Sequence, residues 1–399
     1  MCVKKSEVLF FMENYSAGGL DKVVRDLIEN ISADKIHLVV NKNIDHRIIL
    51  ADNLPSNVLV HKYNLLTPVD VSNWAHNIKK GTFWRFFVKS IDYILRYPLV
   101  FISFFYFLYF IRKIKPTVFI THNGGYPAAL YCGTAAIAAN VILNKKSIYV
   151  YHSMPRKYVL SYLFFDRLFD LLIDKTCNLV SVSKKTSNEI NIVRKIKQNP
   201  ICIYNGIKTL SIKNHEQRNN LKLLHVGTID FNKNQILLIE AINNLILKGN
   251  TNISVTFVGA TVEEDAQLQL NKLITNYKLE KYVNFKGFND NISEFYLEND
   301  ILICTSKIEG FPIVILEAMR VGMPVISTNV GGINEQITDG VNGFLINDND
   351  YIQLSNKINY FSKNKNKIAL FGQKSHEIFL KSFTIEKMVI NYEKKIFQN

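Results

Sequence analysis

The chain has 399 residues, of which 48% are hydrophobic and 21% charged, and its formal net charge is +14. The composition is that of a globular chain and excludes a disordered one, and the length predicts two domains of about 200 residues each. The five cysteines are scattered without the paired spacing of a metal site, and no secretory leader precedes the first predicted strand, so we expect a cytoplasmic protein with reduced thiols.

The first half of the chain alternates short β-rich runs with helical patterns, which predicts a parallel α/β sheet. Strands are predicted at Val8–Met12, Ile36–Val40, Val58–His61, Val118–Thr121, Ile148–Tyr151, Leu179–Val182 and Ile201–Tyr204. Helices are predicted at Gly19–Asn30, Pro127–Leu143, Leu160–Asp174 and Lys184–Arg194.

Leu99–Ile111 is a dense apolar and aromatic segment with cations on both sides. Its thirteen residues are fewer than the roughly 20 that a spanning helix needs, so a core helix and a helix lying in the bilayer interface are both open. Charge favours the interface, because residues 1–205 hold 27 lysines and arginines against 14 acidic residues, whereas residues 206–399 hold 21 against 20. Since no nucleic-acid-binding motif accompanies these cations, we expect residues 83–115 to face an anionic membrane surface.

The second half repeats the alternation of strands and helices. Strands are predicted at Leu221–Val226, Ser254–Val258, Val283–Phe285, Ile301–Cys304 and Pro324–Ser327, and helices at Lys233–Leu247, Glu264–Tyr277, Ile292–Glu298 and Ile313–Arg320. The polar segment Lys208–Asn220 lacks apolar periodicity and is the predicted linker. We therefore expect domains at 1–205 and 206–383, followed by a C-terminal helix at 384–399. Ligands of such sheets bind outside the carboxyl ends of the strands.

Two glycine-containing turns connect predicted strands to helices. Gly18 and Gly19 open the first helix, where paired glycines let a ligand approach the backbone, although a tight turn would explain them equally. Gly227, Thr228 and Lys233 occupy the same kind of turn at the beginning of the second domain. The dinucleotide fingerprint Gly-x-Gly-x-x-Gly is absent from the first turn, which argues against an NAD enzyme.

His122 and His152 each end a predicted strand of the first half, at the edge where ligands are expected. A hydrogen-bonded structural role and a catalytic role are both open for each histidine. Asn205 and Gly206 follow the last strand of this half, and a left-handed turn explains that pair.

Residues 305–317 predict a strand–turn–helix element with two carboxylates, Glu309 and Glu317, eight positions apart. Pro312 suits the first helical turn because its missing N–H would be unpaired there in any case. Free backbone N–H groups and the positive end of the helix dipole lie between the two acids and favour a phosphate. A phosphate site flanked by carboxylates that can hold hydroxyls is typical of a site for a sugar nucleotide.

This element, with the Gly331-Gly332 pair and Gly340–Phe344 after it, resembles the donor-binding half of the retaining glycosyltransferases of family 4. These enzymes have the GT-B fold, so the resemblance implies two Rossmann-like α/β domains whose parallel sheets face an interdomain cleft. It also implies that the C-terminal helix crosses back to the first domain.

The resemblance implies a role for each candidate residue. Glu309 would hold hydroxyls of the donor sugar, Glu317 the ribose, and Lys233 the leaving diphosphate. The remaining donor contacts would come from Gly18, Gly19, Gly227, Thr228, Gly310, Phe311, Ile313 and Val314, with His122 and His152 near the transferred sugar. Family members carry an arginine where this chain has Thr228, so one expected cation is missing from the leaving-group site.

The function implied by the resemblance is a retaining, metal-independent hexosyltransferase-type enzyme without a cofactor. It would move a sugar from a UDP- or GDP-sugar to a glycan or polyprenyl-linked acceptor in surface polysaccharide synthesis, on the inner face of the cytoplasmic membrane. Two alternatives stay open: a nucleotide-sugar 2-epimerase of the same fold, and a membrane-docked sugar-nucleotide-binding protein without catalysis, for which Thr228 is the motivation.

Overall fold

The computed structural model describes residues 6–13, 15, 18–42, 49, 54–71, 82–213 and 219–397, and at residues 82–93, 396 and 397 it describes the backbone alone. The predicted chain start at residues 1–5, residues 16 and 17 of the first glycine turn, and residues 214–218 of the predicted linker lie outside this part of the chain. Two compact units divide the chain, Met1–Tyr204 with Val389–Asn399, and Asn205–Met388.

The first unit is built on seven parallel strands in the order β3-β2-β1-β4-β5-β6-β7. The strands are β1 (Glu7–Glu13), β2 (Lys35–Asn41), β3 (Val58–Tyr63), β4 (Val118–Asn123), β5 (Ile148–Tyr151), β6 (Asn178–Ser181) and β7 (Ile201–Cys202). The helices are α1 (Gly19–Asn30), α2 (Thr82–Ile114), α3 (Leu130–Leu143), α4 (Leu163–Thr176) and α5 (Lys184–Arg194).

Every strand and helix predicted for this half is present, and the differences lie at the ends of elements. Helix α3 begins at Leu130 instead of Pro127 because residues 125–130 form tight turns, in which the N–H of Ala128 donates to the carbonyl oxygen of Gly125. The largest difference is α2, where the predicted apolar segment is only the end of a 33-residue helix that continues through Pro98. A proline inside a helix removes one backbone hydrogen bond, and here it does not end the helix.

The second unit has six parallel strands in the order β10-β9-β8-β11-β12-β13. The strands are β8 (Leu221–Val226), β9 (Ile253–Val258), β10 (Val283–Phe285), β11 (Ile301–Cys304), β12 (Val325–Thr328) and β13 (Gly343–Ile346). The helices are α6 (Gln235–Leu247), α7 (Glu264–Asn276), α8 (Ile292–Glu298), α9 (Ile313–Arg320), α10 (Tyr351–Lys363) and α11 (Asn366–Ser382), and α12 (Ile385–Phe397) begins here. Strand β13 and helices α10 and α11 were not predicted.

The sheet of the second unit places two loops side by side. Leu224 of β8 lies opposite Leu302 of β11, so the chain leaves both strands at one sheet edge and enters the loops 227–234 and 305–312. Below that edge, Leu223, Leu238 and Ile303 are almost completely buried in the core. Burial of each such side chain contributes about 1.5–3 kcal/mol, which holds the two strand ends in place.

Candidate functional site

The Nζ of Lys233 lies 2.6 Å from Oε1 of Glu309, which makes an ion pair between the two neighbouring loops. The side chains are 23% and 13% exposed, so the pair is only partly open to solvent. Burial alone would lower the pKa of Lys233, but the charge and hydrogen bond of Glu309, together with the contributions of Cys304 and Asp230, outweigh it and the net direction is upward. The structure therefore brings these two predicted site residues together as an ion pair.

The two loops are also fastened through Asn232. Its Oδ1 accepts from the N–H of Ile308 at 3.1 Å, its Nδ2 donates to the carbonyl oxygen of Ile308 at 3.2 Å, and its own carbonyl oxygen accepts from the N–H of Lys307. Sequence reasoning missed this asparagine. Its three hydrogen bonds fix the backbone that carries Lys233 against the backbone that carries Glu309.

Gly227 and Thr228 form the beginning of the loop after β8. Gly227 has φ +152°, and a Cβ there would contact the Lys233 side chain at 3.3–3.5 Å, so the glycine lets the lysine stem fold back over the strand end. The hydroxyl of Thr228 donates to Oδ2 of Asp230 at 2.5 Å, and Oδ1 of Asp230 accepts from the N–H of Lys233. The position at which the resemblance led us to expect a cation is therefore occupied by a hydroxyl that bonds to a carboxylate.

A buried polar layer supports Lys233 from beneath. Thr305 Oγ1 donates to the carbonyl oxygen of Lys233 at 2.8 Å and lies 3.3 Å from Nε2 of His225. Burial, with a smaller contribution from the Lys233 charge, lowers the pKa of His225 to about 4. His225 is therefore neutral at physiological pH and adds no positive charge to the site.

Glu309 is positioned by a glycine that the prediction mentioned only as part of a pattern. Gly331 has φ +54°, and a Cβ there would lie 1.6 Å from the carbonyl oxygen of Glu309. The next residue, Gly332, donates its N–H to the carbonyl oxygen of Gly310 at 3.1 Å. Only glycine permits this close approach, so Gly331 holds the Glu309–Gly310 backbone in place.

Helix α9 begins at Ile313 after Pro312, as predicted, and Glu317 lies on its second turn. The first N–H groups of the helix, at Ile313 and Val314, have no partner within the helix, and the dipole adds positive potential there. Phe311, just before the helix, is buried and packs edge-on against Phe383 with ring centroids 5.4 Å apart. The helix start is therefore held firmly beside Gly310.

Glu317 is buried and points toward Tyr296 of α8. The Tyr296 hydroxyl donates to Oε2 of Glu317 at 2.8 Å and lies 3.3 Å from the carbonyl oxygen of Val314. Sequence reasoning missed Tyr296, although an aromatic hydroxyl in the short helix before β11 was the available signal. The two acids therefore have different settings, one paired with a cation and one with a hydroxyl.

In the first unit, His122 and His152 lie together at the sheet edge, with His122 Nδ1 2.8 Å from Nε2 of His152. Burial lowers the pKa of His152 to about 3, and burial with the neighbouring imidazole holds the pKa of His122 well below its usual range. Both rings are neutral, so one donates and the other accepts. Within the described chain, Nε2 of His122 has no hydrogen-bond partner although it is buried.

Glu13, at the end of β1, is a buried acid that sequence reasoning missed. It lies opposite Asn123 in the sheet, its Oε2 accepts from the N–H of Tyr131 at 2.7 Å, and its Oε1 accepts from the hydroxyl of Tyr15. Burial raises the pKa of Glu13 to about 8, above its ordinary value of 4.5. A charged residue closing an otherwise apolar strand was the signal in the sequence.

The first glycine turn follows Glu13. Gly18 precedes α1, its N–H donates to Oδ2 of Asp21 at 2.9 Å, and a Cβ added to Gly18 would meet nothing within 4 Å. A larger side chain would therefore fit at position 18, so the space around it does not require glycine. Open space beside the backbone at a helix start is what ligand approach would need.

A family model described as Glycosyl transferases group 1 matches residues 207–377. The chain is 34% identical over 122 residues to N-acetyl-alpha-D-glucosaminyl L-malate synthase of Bacillus anthracis, which covers 31% of this chain and 32% of that protein. It is 26% identical over 264 residues to the capsular polysaccharide biosynthesis glycosyltransferase CapM of Staphylococcus aureus, covering 62% of this chain and 67% of that protein. The chain spans 32% to 58% of the length of the first three curated relatives.

Among solved structures, the chain is similar to Anabaena Alr3699/HepE in complex with UDP, with a TM-score of 0.74 at 19% identity over 98% of this chain and 100% of the other. A structure of the same protein with UDP-glucose gives a TM-score of 0.72 at 18% identity, again over 98% and 100%. These likenesses confirm the predicted fold class over nearly the whole chain. The chain thus has the GT-B fold, and its residues 207–377 match the model of the glycosyl transferases group 1 family.

Proposed function

We propose that the protein is a retaining glycosyltransferase that moves a sugar from a nucleoside diphosphate sugar to a glycan or lipid-linked acceptor in surface polysaccharide synthesis. The observation that carries the proposal is the Lys233–Glu309 ion pair, at 2.6 Å, in the loops that lead to α6 and α9. Support for the pathway comes from CapM, named for capsular polysaccharide biosynthesis. A UDP-sugar is the favoured donor because the similar Anabaena protein binds UDP and UDP-glucose.

On this proposal the ion pair divides when the donor binds. The diphosphate takes the first N–H groups of α9, at Ile313 and Val314, and the ammonium of Lys233 turns toward its oxygens. The contact of Glu309 with Lys233 is then weakened, and the Glu309 carboxylate accepts hydrogen bonds from hydroxyl groups of the sugar. Charge thus accumulates on the leaving diphosphate opposite groups that are already in place, which lowers the barrier to its departure.

The nucleoside would be held by Glu317. We propose that Tyr296 fixes the Glu317 carboxylate by its 2.8 Å hydrogen bond so that the acid meets the ribose hydroxyls. A carboxylate that accepts hydrogen bonds from both hydroxyls of a ribose distinguishes a ribonucleotide from a deoxyribonucleotide.

The first unit would bind the acceptor, with His122 and His152 beside the transferred sugar and Gly18 and Gly19 at the glycine turn. Since burial keeps both imidazoles neutral, they orient hydroxyls by hydrogen bonds rather than by charge. The acceptor hydroxyl would attack from the face that the diphosphate leaves, and a donor phosphate oxygen would take its proton. That course gives retention and uses no metal ion.

The test begins with thermal shift of the purified protein against UDP, GDP and their sugars, because a ligand that binds only the folded state raises the melting temperature. Turnover is then followed as release of nucleoside diphosphate with and without a crude lipid acceptor. We expect release that depends on acceptor and falls at least 100-fold in Lys233→Ala and Glu309→Ala. Full activity of both variants contradicts the assignment.

The two alternatives predict different products. A 2-epimerase consumes the donor without acceptor and yields its C2 epimer or free nucleotide. A non-catalytic protein binds the nucleotide without turnover. The Thr228–Asp230 contact at 2.5 Å motivates this alternative, since a hydroxyl bonded to a carboxylate occupies the position where a cation would help.

A further inference from the structure

Helix α2 turns one side into the first unit and the other side outward. Ser103, Phe107 and Ile111, spaced four residues apart, are buried, and the Ser103 hydroxyl lies 2.9 Å from the hydroxyl of Thr134 in α3. This buried stripe holds residues 103–111 of the helix against the body of the unit.

The outward side of α2 is apolar. Ile94, Phe101, Ile102, Phe105 and Tyr109 are exposed at helical spacing, Tyr109 to 72%. From Ile94 to Ile114 the helix contains no acidic residue, and it is long and apolar enough to cross a membrane by length and composition. Exposed cations, Arg112 and Lys113, follow at its end. Exposure of such an apolar surface to water is unfavourable.

The amphipathic pattern of helix α4 is reversed: its acidic residues face the core and several of its apolar residues face outward. Its three acids, Asp166, Asp170 and Asp174, are all buried, and the first two bind the buried guanidinium of Arg194. The outward side instead presents apolar residues together with two exposed cations; these residues are Leu160 of the preceding turn, Phe164, Leu168, Leu171, Arg167 and Lys175. A helix on a water-facing surface places acids outside and leucines inside.

The two helices meet in one surface. The ring of Tyr97 in α2 stacks on that of Phe165 in α4 with centroids 4.0 Å apart, and the Arg96 guanidinium lies 4.4 Å above the ring of Tyr162. We call the exposed apolar residues of α2 and α4 the apolar face. The described residues that α2 and α4 expose on it include cations and no acid.

We propose that the apolar face docks on an anionic lipid bilayer, with α2 and α4 lying in the interface and neither crossing it. The cations at its border match anionic headgroups, and the exposed aromatic and aliphatic side chains match the boundary of the acyl chains. Because Ser103, Phe107 and Ile111 are packed inside the unit, α2 cannot be surrounded by lipid. The proposal does not rest on the transfer reaction.

The test is co-sedimentation of the full chain with vesicles of phosphatidylcholine alone or with phosphatidylglycerol. One variant changes α2 (Phe101→Gln, Phe105→Gln, Tyr109→Gln) and a second changes α4 (Leu160→Gln, Phe164→Gln, Leu168→Gln). A control removes exposed leucines of the second unit (Leu247→Gln, Leu268→Gln), and all variants are checked for unchanged thermal unfolding.

We expect each helix variant to lower the partition coefficient on anionic vesicles at least about tenfold, while the control leaves it unchanged. Arg112→Gln with Lys113→Gln lowers binding to phosphatidylglycerol only, and salt does the same. An α4 variant that binds like the wild type overturns the two-helix face, and that is the result a spanning α2 would give. Unchanged binding in both variants, or loss of a dimer instead of vesicle binding, overturns the membrane proposal.

Discussion

Replacing Glu309 with glutamine keeps its shape and removes its charge, so it separates the two halves of the ion pair. In the wild type burial acts to lower the pKa of Lys233, and the Glu309 carboxylate is the main one of the groups that together raise it. Without it, a mostly buried cation keeps a single amide oxygen as partner. Breaking such a pair costs about 2 kcal/mol, less than for a fully buried pair because both side chains retain some exposure.

For a domain of this size we expect a fall in melting temperature of roughly 4–8 °C. The stronger prediction concerns ligands. Because the lysine is freed from its acid, Glu309→Gln should bind UDP as tightly as the wild type or more tightly, while sugar transfer falls on the order of 100-fold. Lys233→Ala should instead weaken UDP binding itself by about tenfold, the usual loss for one charge-assisted contact.

Calorimetric titration with UDP and acceptor-dependent UDP release measure the two effects in the same preparations. Glu377→Gln is the matched control, because Lys374 and Glu377 form a pair at 2.7 Å with both side chains 47% exposed. It should change neither quantity. If Glu309→Gln weakens UDP binding as much as Lys233→Ala does, the pair is not divided between sugar and diphosphate, and the reasoning fails.

Three further changes test other parts of the structure. Glu13 holds its proton in the folded state, because its pKa is raised from 4.5 to about 8. The free energy of unfolding should therefore fall as pH rises from about 4.5 to 8, by up to about 1.4 kcal/mol per pH unit. Glu13→Gln should abolish that pH dependence in urea unfolding measured at pH 5 and 8. Gly331→Ala should unfold at much lower temperature and lose activity, because its Cβ would lie 1.6 Å from the Glu309 carbonyl oxygen. Gly340→Ala is the control: it has a similar positive φ but open space around it, so it should lower the free energy of unfolding by only about 1 kcal/mol. Equal losses of stability in the two variants would contradict this interpretation. Thr228→Arg should tighten UDP binding about tenfold by supplying the missing cation, and calorimetry showing no gain would mean that the diphosphate does not reach this loop.

The strands were predictable because each is a short, apolar run between turn residues, and parallel strands bury both faces. Those runs identified twelve of the thirteen strands found in the described part of the chain, with the ends of several shifted by one or two residues. The strand that was missed, Gly343–Ile346, has only four residues and begins with glycine, so its sequence contains too little periodicity to separate it from a turn. Helices α10 and α11 carry many polar residues and bury only a narrow stripe of side chains.

The site was predictable where chemistry follows directly from sequence position and not where it depends on contacts across the fold. Lys233 and Glu309 were both identified, but their contact at 2.6 Å depends on the pairing of β8 with β11, which no local pattern reveals. Glu13 was missed for the same reason. Its raised pKa arises from burial beneath a helix start more than 100 positions away in the chain.

The charged side chains around the loops 227–234 and 305–312 decide how much the absence of an arginine at position 228 matters. The described side chains of the loops 227–234 and 305–312 include two cations, Lys233, with Glu309 and Asp230 beside it, and the exposed Lys307, and the adjacent His225 is kept neutral by burial. A diphosphate bound there would gain little from side-chain charge, because Lys233 is already compensated by Glu309 and Lys307 is exposed to solvent. Most of its stabilisation must then come from the backbone N–H groups at the start of α9, whose position is fixed through Gly331 and Gln336, the latter donating to the carbonyl oxygen of Pro312 at 3.0 Å. A site built in this way depends more on backbone geometry than on charge, so substitutions that shift residues 309–314 should harm donor binding more than removal of any surface cation.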